Sequence, residues 1–560
     1  MERNFWTQRG IGGRKLSRRA VLRGGALGIV GLGAAALVGC GDDDEPAPAS
    51  TSSGSTGAGA TAAASGTSKI NRGGTIRMGT RKFPPGLDPD HSGTGYHMQR
   101  VAFDSLIGFD PAGVPVVHAD SLADSMEIQD ETTLVLGMKK GVKFHDGTDF
   151  NAESVKWNFD RTLGESEGAS VFKGQFASLD RVEIVDDFTV RFILAQPDAS
   201  LPAALGYNGA VMLSPTHYDG KSNEDVQWDP VGTGRYRFKS HSQDSSVTFE
   251  PFKDHFYKLA DGGSSALLDE LSYVSVPDAV VQVASLEAGD LEVIEESPED
   301  QLDLLDSAGL KGVALEGFAI REFYINHDLA PMDNVDFRRA LMWAVDKDAW
   351  NKIFFGGRNS AATSVFEPAS WAHIDVPSFP GYDMEKAKKY MAQSGIPVSE
   401  RKILGTARAG SQTEEWQFAQ AAWAELGVEM EYVESKEAGS RSNRNQGEVG
   451  DIHASMSRFT HKTDPNLMAG VIFRQDSIYN YCGCPTLGME ELILKATRTY
   501  DVEERKAFYA EAQKLHADQL GNMLPMVNLS FWVHGRKDVV GMGHMADGRG
   551  DYRNLGFAAS

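Results

Sequence analysis

Between Leu122 and Leu163 the chain constrains its local structure more tightly than anywhere else. Leu134, Leu136 and Met138 alternate with Thr133, Val135 and Gly137. Successive side chains of a strand point to opposite faces, so this is a strand with one buried side. Asp146-Gly147 follows, and glycine readily takes the positive φ that a tight turn needs. Asn151 then precedes Ala152, Val155, Phe159 and Leu163, a polar cap ahead of an apolar stripe at helical spacing. The order is strand, turn, capped helix. His145 beside Asp146 looks like an acid/base pair, but such a dipeptide is common by chance. Its surroundings read as a brace, so both residues are expected to be structural.

At 560 residues the chain exceeds one ordinary domain, and two or three lobes are expected. Its 41% hydrophobic content can supply real cores. The formal charge is -23. Residues 1–39 hold seven basic residues and one acidic, net +6, which leaves -29 for the remainder. A phosphate backbone selects basic surfaces, so nucleic acid is excluded as a partner. The acidity is read as a solubility device.

Residues 1–39 read as a targeting segment. Ser17-Arg18-Arg19-Ala20-Val21-Leu22-Arg23 resembles a twin-arginine export signal, and Ala26 to Val38 is an apolar stretch too short to span a membrane. Leu37-Val38-Gly39-Cys40 resembles a lipobox, which implies cleavage before Cys40 and lipidation of that cysteine. Acyl chains would then anchor the protein to the membrane without a span. Residues 40–72 follow as a lipidated cysteine and a tether rich in Ser, Thr, Gly and Ala, too polar to build a core. Beyond Cys40 no apolar run is long enough to cross a bilayer.

Further motifs occur in a fixed order. A Leu-Ala-x-Ser run at Leu122-Ala123-Asp124-Ser125 precedes Val142-Lys143-Phe144-His145-Asp146-Gly147 and Ala152-Glu153-Ser154-Val155. Leu87-Asp88-Pro89 lies upstream; Val231-Gly232-Thr233-Gly234-Arg235-Tyr236 and Gly289-Asp290-Leu291-Glu292 lie downstream. Pro331-Met332-Asp333-Asn334-Val335-Asp336-Phe337-Arg338-Arg339-Ala340-Leu341 and Ala344-Val345-Asp346-Lys347 come next. Together these resemble the family 5 extracellular solute-binding proteins, the peptide, nickel and opine receptors of ABC importers. The resemblance covers roughly residues 73–535 and departs from the usual pattern at Arg235, where proline is common.

The resemblance implies an α/β, periplasmic-binding-protein-like clamshell of class II (cluster C) type, with two large lobes plus a smaller inserted lobe. The boundaries that follow are 73–113 for the start of lobe I, 114–228 for the small lobe II, 229–320 for the return to lobe I, 321–524 for lobe III and 525–560 for the closing return. Two strands, near 318–324 and 523–529, would cross between lobes and act as a hinge. Asp333 is expected to cap the helix after it.

Recognition is expected on Met456-Ser457-Arg458-Phe459-Thr460-His461-Lys462-Thr463-Asp464-Pro465. Peptide-binding members of the family place an aspartate for the peptide's α-ammonium at the position held here by His461, and often an aromatic where Arg458 stands. Histidine cannot hold an ammonium as a carboxylate does. Arg458 could take a carboxylate or phosphate in bidentate fashion. The expected ligand therefore has an anionic or neutral polar end. Phe459, Asp464, Trp371, Tyr96 and His97 complete the expected ligand-binding set.

No catalytic group, cofactor or metal is expected. Asp88, Asp90, Ser92 and Gly93 mimic a calcium loop, but its twelfth position is Gln99 rather than a bidentate glutamate. Gly164-Glu165-Ser166-Glu167-Gly168 matches a nucleophile elbow in letters only, because a helix precedes it where a strand is needed. Cys482-Gly483-Cys484 supplies two sulfurs where zinc wants four ligands, so His453 or His461 would have to be recruited. A disulfide and two free thiols both stay open. The resulting expectation is an extracytoplasmic, lipid-anchored monomer that passes a peptide-like solute to an ABC permease. A nickel-chelate, opine or glycoside receptor on the same fold is the alternative. A secreted hydrolase, or a lipoprotein that kept the fold but lost transport, stands further back.

Overall fold

The computed structural model describes residues 70–559 apart from 111–112, 165–169, 409–411, 436–451, 461–462, 476–479, 481–483, 485 and 546–547. The export segment, Cys40, Ser166, His461 and Cys482 lie outside the described residues.

The fold begins with strand β1 (Thr75–Thr80) and helix α1 (Tyr96–Ala102). The helix starts directly after Gly95, which turns the chain at φ 74. The chain then builds a four-stranded antiparallel sheet from β2 (Ala123–Asp130), β3 (Thr133–Met138), β4 (Leu179–Asp186) and β5 (Thr189–Leu194), in the order β2-β3-β5-β4. Leu134, Leu136 and Met138 are buried, as the alternation requires. Helix α2 (Ala152–Leu163) lays Val155 and Phe159 on that face. Asn151 caps it, accepting the Ser154 N–H at 3.0 Å, while Ser154 Oγ accepts the Asn151 N–H. Losing such a cap costs about 1 kcal/mol.

His145 and Asp146 hold two different seams of this small lobe. His145 Nε2 donates to Gly234 O at 2.9 Å and Nδ1 accepts from Gly232 N–H at 3.4 Å. Burial pushes the imidazole down to about 4, so the ring is neutral. Asp146 instead accepts from Ser214 Oγ at 2.5 Å and Thr148 Oγ1 at 2.6 Å. The pair is structural.

The larger sheet adds β6 (Tyr236–Ser242), β7 (Ser246–Pro251), β8 (Glu270–Ser275), β9 (Val293–Ile294) and the long β10 (Lys311–Ile325). Helices α3 (Val335–Ala344) and α4 (Lys347–Phe355) follow. Asn334, not Asp333, caps α3, accepting from the N–H groups of Asp336 and Phe337. Asp333 stands one residue too early to reach them. Arg338, expected to belong to the fold, donates to Leu520 O, Met332 O and Gln519 O at 2.6–2.7 Å.

Strand β11 (Lys402–Arg408), helix α5 (Thr413–Ala424), β12 (Glu429–Ser435) and β13 (Ala454–Thr460) come next. Helices α6 (Asn466–Ile472), α7 (Met489–Arg498) and α8 (Val502–Gln519) precede the last long strand, β14 (Met523–Gly535). The large sheet runs β12-β11-β13-β10-β14-β9-β1-β8-β7-β6, with Ser360–Ala361 also pairing to β14. Parallel pairs β1 with β8 and β9, and β11 with β12 and β13, make this an α/β fold.

Among the described residues, only β10 and β14 run through both halves of that sheet. Lys311 to Leu315 pair with Gly535 to Phe531, and Ala319 to Tyr324 pair with Leu529 to Met523. Between them the register shifts, with Gly317 at φ 65. A side chain there would press on Pro368, 3.2 Å from the Cβ position. The break lies a few residues to one side of the expected crossing, at the place where partners change from β9 to β13. On one side Ile76, Met78, Phe249 and Tyr273 form a core. On the other, Phe323 sits among Trp416, Trp350 and Trp423 at ring distances of 4.9, 5.8 and 5.3 Å.

Candidate ligand cleft

β13 carries the expected recognition residues beside the crossing strand. Antiparallel pairing sets Arg458 opposite Arg321 and Phe459 opposite Ile320. Arg321 is committed, since its Nη2 lies 2.7 Å from Glu415 Oε1 in a mostly buried pair. Arg458 reaches the other way, across to the first lobe. Its Nη2 is 3.3 Å from Glu296 Oε1, its guanidinium lies 4.8 Å from the Phe531 ring centre, and its side chain is 36% exposed. A guanidinium over an aromatic face keeps its charge while part of its surface is desolvated. Phe459 points to the opposite face, as alternation demands, and meets Tyr324 edge-on at 6.3 Å.

Asp464 holds the loop after β13 in place. Both carboxylate oxygens receive Arg505 at 2.8 Å, and Oδ1 also accepts the Asn466 N–H at 2.9 Å. Trp371 is part of the same assembly, 5.2 Å from the Arg505 guanidinium and edge-on to Tyr509 at 5.8 Å. In the same loop, Thr463 Oγ1 is 2.6 Å from Tyr207 Oη of the small lobe, and its N–H donates to that hydroxyl as well. Asn466 Nδ2 donates to Ser200 Oγ at 3.0 Å, and Leu467 packs on the small-lobe core. The small lobe is thus docked directly on the expected recognition loop.

From the first lobe, Tyr96 and His97 open α1. Arg549 stacks over the Tyr96 ring at 3.6 Å. His97 is buried, with Nδ1 2.8 Å from Glu295 Oε1 and its ring 5.2 Å from Tyr273. Of the expected set, Arg458 and His97 therefore meet the adjacent acids Glu296 and Glu295, while Asp464 and Trp371 gather on Arg505. Glu295, Glu296 and Tyr207 were not singled out in the sequence. They sit in polar or loop segments with no periodicity, and only folding brings them beside the expected residues.

Burial raises Glu299 to about 7 although Asn359 Nδ2 donates to it at 2.9 Å. This places a titratable group beside the crossing strands, because Asn359 also accepts the Ser530 N–H.

Metal-like and catalytic-looking groups have other employment. Asp88 and Asp90 both close on Arg161, which supplies the positive charge a calcium ion would have brought. His453 uses both ring nitrogens, on Leu404 N–H and Ala330 O. Donor atoms of His327, Asp328 and Cys484 lie within 4.8 Å of one another, but Cys484 is disulfide-bonded. A thiolate, not a disulfide sulfur, ligates zinc. Asp104, His255 and Ser265 line up at 3.2 and 2.8 Å. Their exposures of 1%, 1% and 1% leave no path for a substrate carbonyl.

The profile of the bacterial extracellular solute-binding proteins, family 5 (middle region), matches residues 119–469. The dipeptide-binding protein of Escherichia coli (strain K12) is 27% identical over 508 residues, covering 82% of this chain and 90% of that protein. Heme-binding protein A of Haemophilus influenzae is 29% identical over 422 residues, covering 68% and 74%. The crystal structure of a dipeptide-binding protein from Pseudoalteromonas sp. SM9913 in complex with Met-Leu superposes with a TM-score of 0.74 at 21% identity. It covers 86% of this chain and 100% of that one. Among the described residues no helix is long and apolar enough to cross a membrane. The match across most of the fold shows that the chain belongs to the family 5 bacterial extracellular solute-binding proteins, the substrate-binding components of ABC importers.

Proposed function

We propose that the chain captures a small peptide-like solute between its two large lobes and delivers it to an ABC permease, anchored outside the cytoplasm by a lipid on Cys40 after twin-arginine export. It acts as a monomer and carries no catalytic group, cofactor or metal. The observation that carries this reading is Arg458: it lies on the second lobe, beside the crossing strands, and reaches Glu296 of the first. A solute that contacts both walls is what closure requires, since only contacts made in the closed form can drive it. The relatives named for dipeptides support a peptide-like ligand.

The ligand end that meets Arg458 and His461 is anionic or neutral polar, not a free peptide amine. Calorimetric titration with dipeptides, N-acetylated dipeptides and their C-terminal amides tests this. Binding that needs a free carboxylate and tolerates acetylation supports the reading. Binding that needs the free amine, unchanged in Arg458→Ala, refutes it. A second reading keeps the fold and replaces the ligand with a nickel chelate, opine or glycoside. The presence of His461 where peptide binders hold a carboxylate favours it, and titration with nickel-histidine separates the two.

A further inference from the structure

We propose that Lys347 is the reactive amine of a second ligand site, a small cavity on the second lobe that takes a short apolar aldehyde as a reversible imine. The cavity measures about 290 Å³, near the lower end of the range for ligand pockets. Helix α4 opens at Lys347 and supplies one wall. The segment Ser360–Ala361, which pairs with β14, runs on into Ala362 and Thr363 and supplies another. The loop between Asp375 and Tyr382 completes the lining. None of these residues belongs to the expected ligand-binding set.

The amine sits at the wall of this space, because the groups around it all line the cavity. Nζ donates to Pro380 O at 2.6 Å and to Ala362 O at 3.2 Å, and it lies 4.7 Å from the centre of the Phe379 ring. Ala362, Val376 and Phe379 are buried, whereas Tyr382, Asp348 and Asp375 are exposed. The lysine thus occupies the apolar end, and the acids stand toward water. Burial lowers the amine to about 7, although Asp348 pulls the other way. A large share is therefore unprotonated near neutral pH, as a nucleophilic lysine requires. Its lone pair adds to the aldehyde carbon, and a proton passes from nitrogen to the former carbonyl oxygen. The carbinolamine then loses that hydroxyl and the remaining N–H proton as water, leaving C=N. Amine plus aldehyde gives imine plus water, and nothing is oxidised or reduced. A protonated imine keeps one N–H for a carbonyl oxygen and carries its charge beside the Phe379 ring. Carbon dioxide would instead leave a carbamate anion beside two carbonyl oxygens, in a cavity also lined by Asp348 and Asp375. The surroundings therefore select a carbonyl compound, whose adduct is cationic, and the apolar end selects a short hydrocarbon chain on it.

The test is reductive labelling of the folded wild-type protein with butanal and cyanoborohydride near neutral pH, read by peptide mass mapping. Lys402, with a side chain 64% exposed, is the reference amine. The Lys347 peptide should gain a butyl group at least about tenfold faster than the Lys402 peptide, since an ordinary lysine is almost wholly protonated there. Without the reductant, the butanal adduct on Lys347 should be lost on dialysis. An aldehyde-bearing dextran, too large for the cavity, should label Lys402 and spare Lys347. Labelling of Lys347 by butanal no faster than that of Lys402 overturns the site, because the amine is then inert. Equal labelling of both lysines by the dextran also overturns it, because Lys347 is then reached by opening of the fold and not through the cavity.

Discussion

Replacing Asp464 by asparagine separates a loop anchor from a ligand contact. Asp464 and Arg505 are 4% and 5% exposed, and the guanidinium donates to both carboxylate oxygens at 2.8 Å. Asparagine keeps the shape, but it removes the charge and turns an amide N–H toward Arg505. Breaking one side of a buried ion pair leaves an uncompensated charge and costs about 3–5 kcal/mol. For a fold of roughly 490 residues the unfolding entropy is about 1 kcal/mol per degree. The melting temperature should therefore fall by about 3–5 °C if the chain melts as one unit, and by more if the second lobe melts alone. The assay is scanning calorimetry beside a ligand titration. Stability should drop, with affinity reduced only through loosening of the loop. The paired change Asp464→Leu/Arg505→Met should recover much of the loss, since apolar replacements of a buried pair are often neutral. An unchanged melting temperature with abolished binding would refute this and return Asp464 to the ligand.

Three further outcomes are expected. His145→Ala should lower stability by about 1–3 kcal/mol through its two lost hydrogen bonds and leave affinity within about twofold; a large affinity loss at constant melting temperature contradicts this. Burial depresses His145 and His327 to about 4 and His516 to about 3, so unfolding takes up protons as pH falls below their ordinary 6.5. Glu299, raised to about 7, acts in the opposite sense, and the net uptake of about two protons near pH 5 makes stability fall by about 3 kcal/mol per pH unit; urea midpoints flat between pH 6.5 and 4 contradict it. Lys347, buried over the Phe379 ring and donating to Ala362 O and Pro380 O, is lowered by burial from 10.5 to about 7. The unfolded chain binds the extra proton between those values, so burying the amine costs up to about 5 kcal/mol below pH 7 and less as pH rises toward 10.5; Lys347→Met should flatten stability across that window.

Local structure was legible wherever one residue type answers one local need. The alternation at Leu134, Leu136 and Met138 and the Asn151 cap both appear where the sequence puts them. The cap of α3 slipped from Asp333 to Asn334 because the two side chains are near-equivalent and only the backbone path chooses. At the candidate site, Arg458 was visible as a departure from a motif. Its partner Glu296 was not, lying 162 residues away in a non-repetitive segment. Arg505 on the buried stripe of α8 announces that some acid must meet it, since a buried charge is rarely unpaired. Which acid it is depends on how α8 docks against the loop after β13, and no local pattern encodes that docking.

Native mass spectrometry of the chain purified from its own host, wild type beside Arg458→Ala, tests the central claim most directly. Capture between two lobes predicts one small molecule per chain, bearing a carboxylate, phosphate or neutral polar end, on the wild type and strongly depleted from the variant. Equal occupancy of the two proteins, or a co-purified solute whose only polar end is an amine, would contradict it.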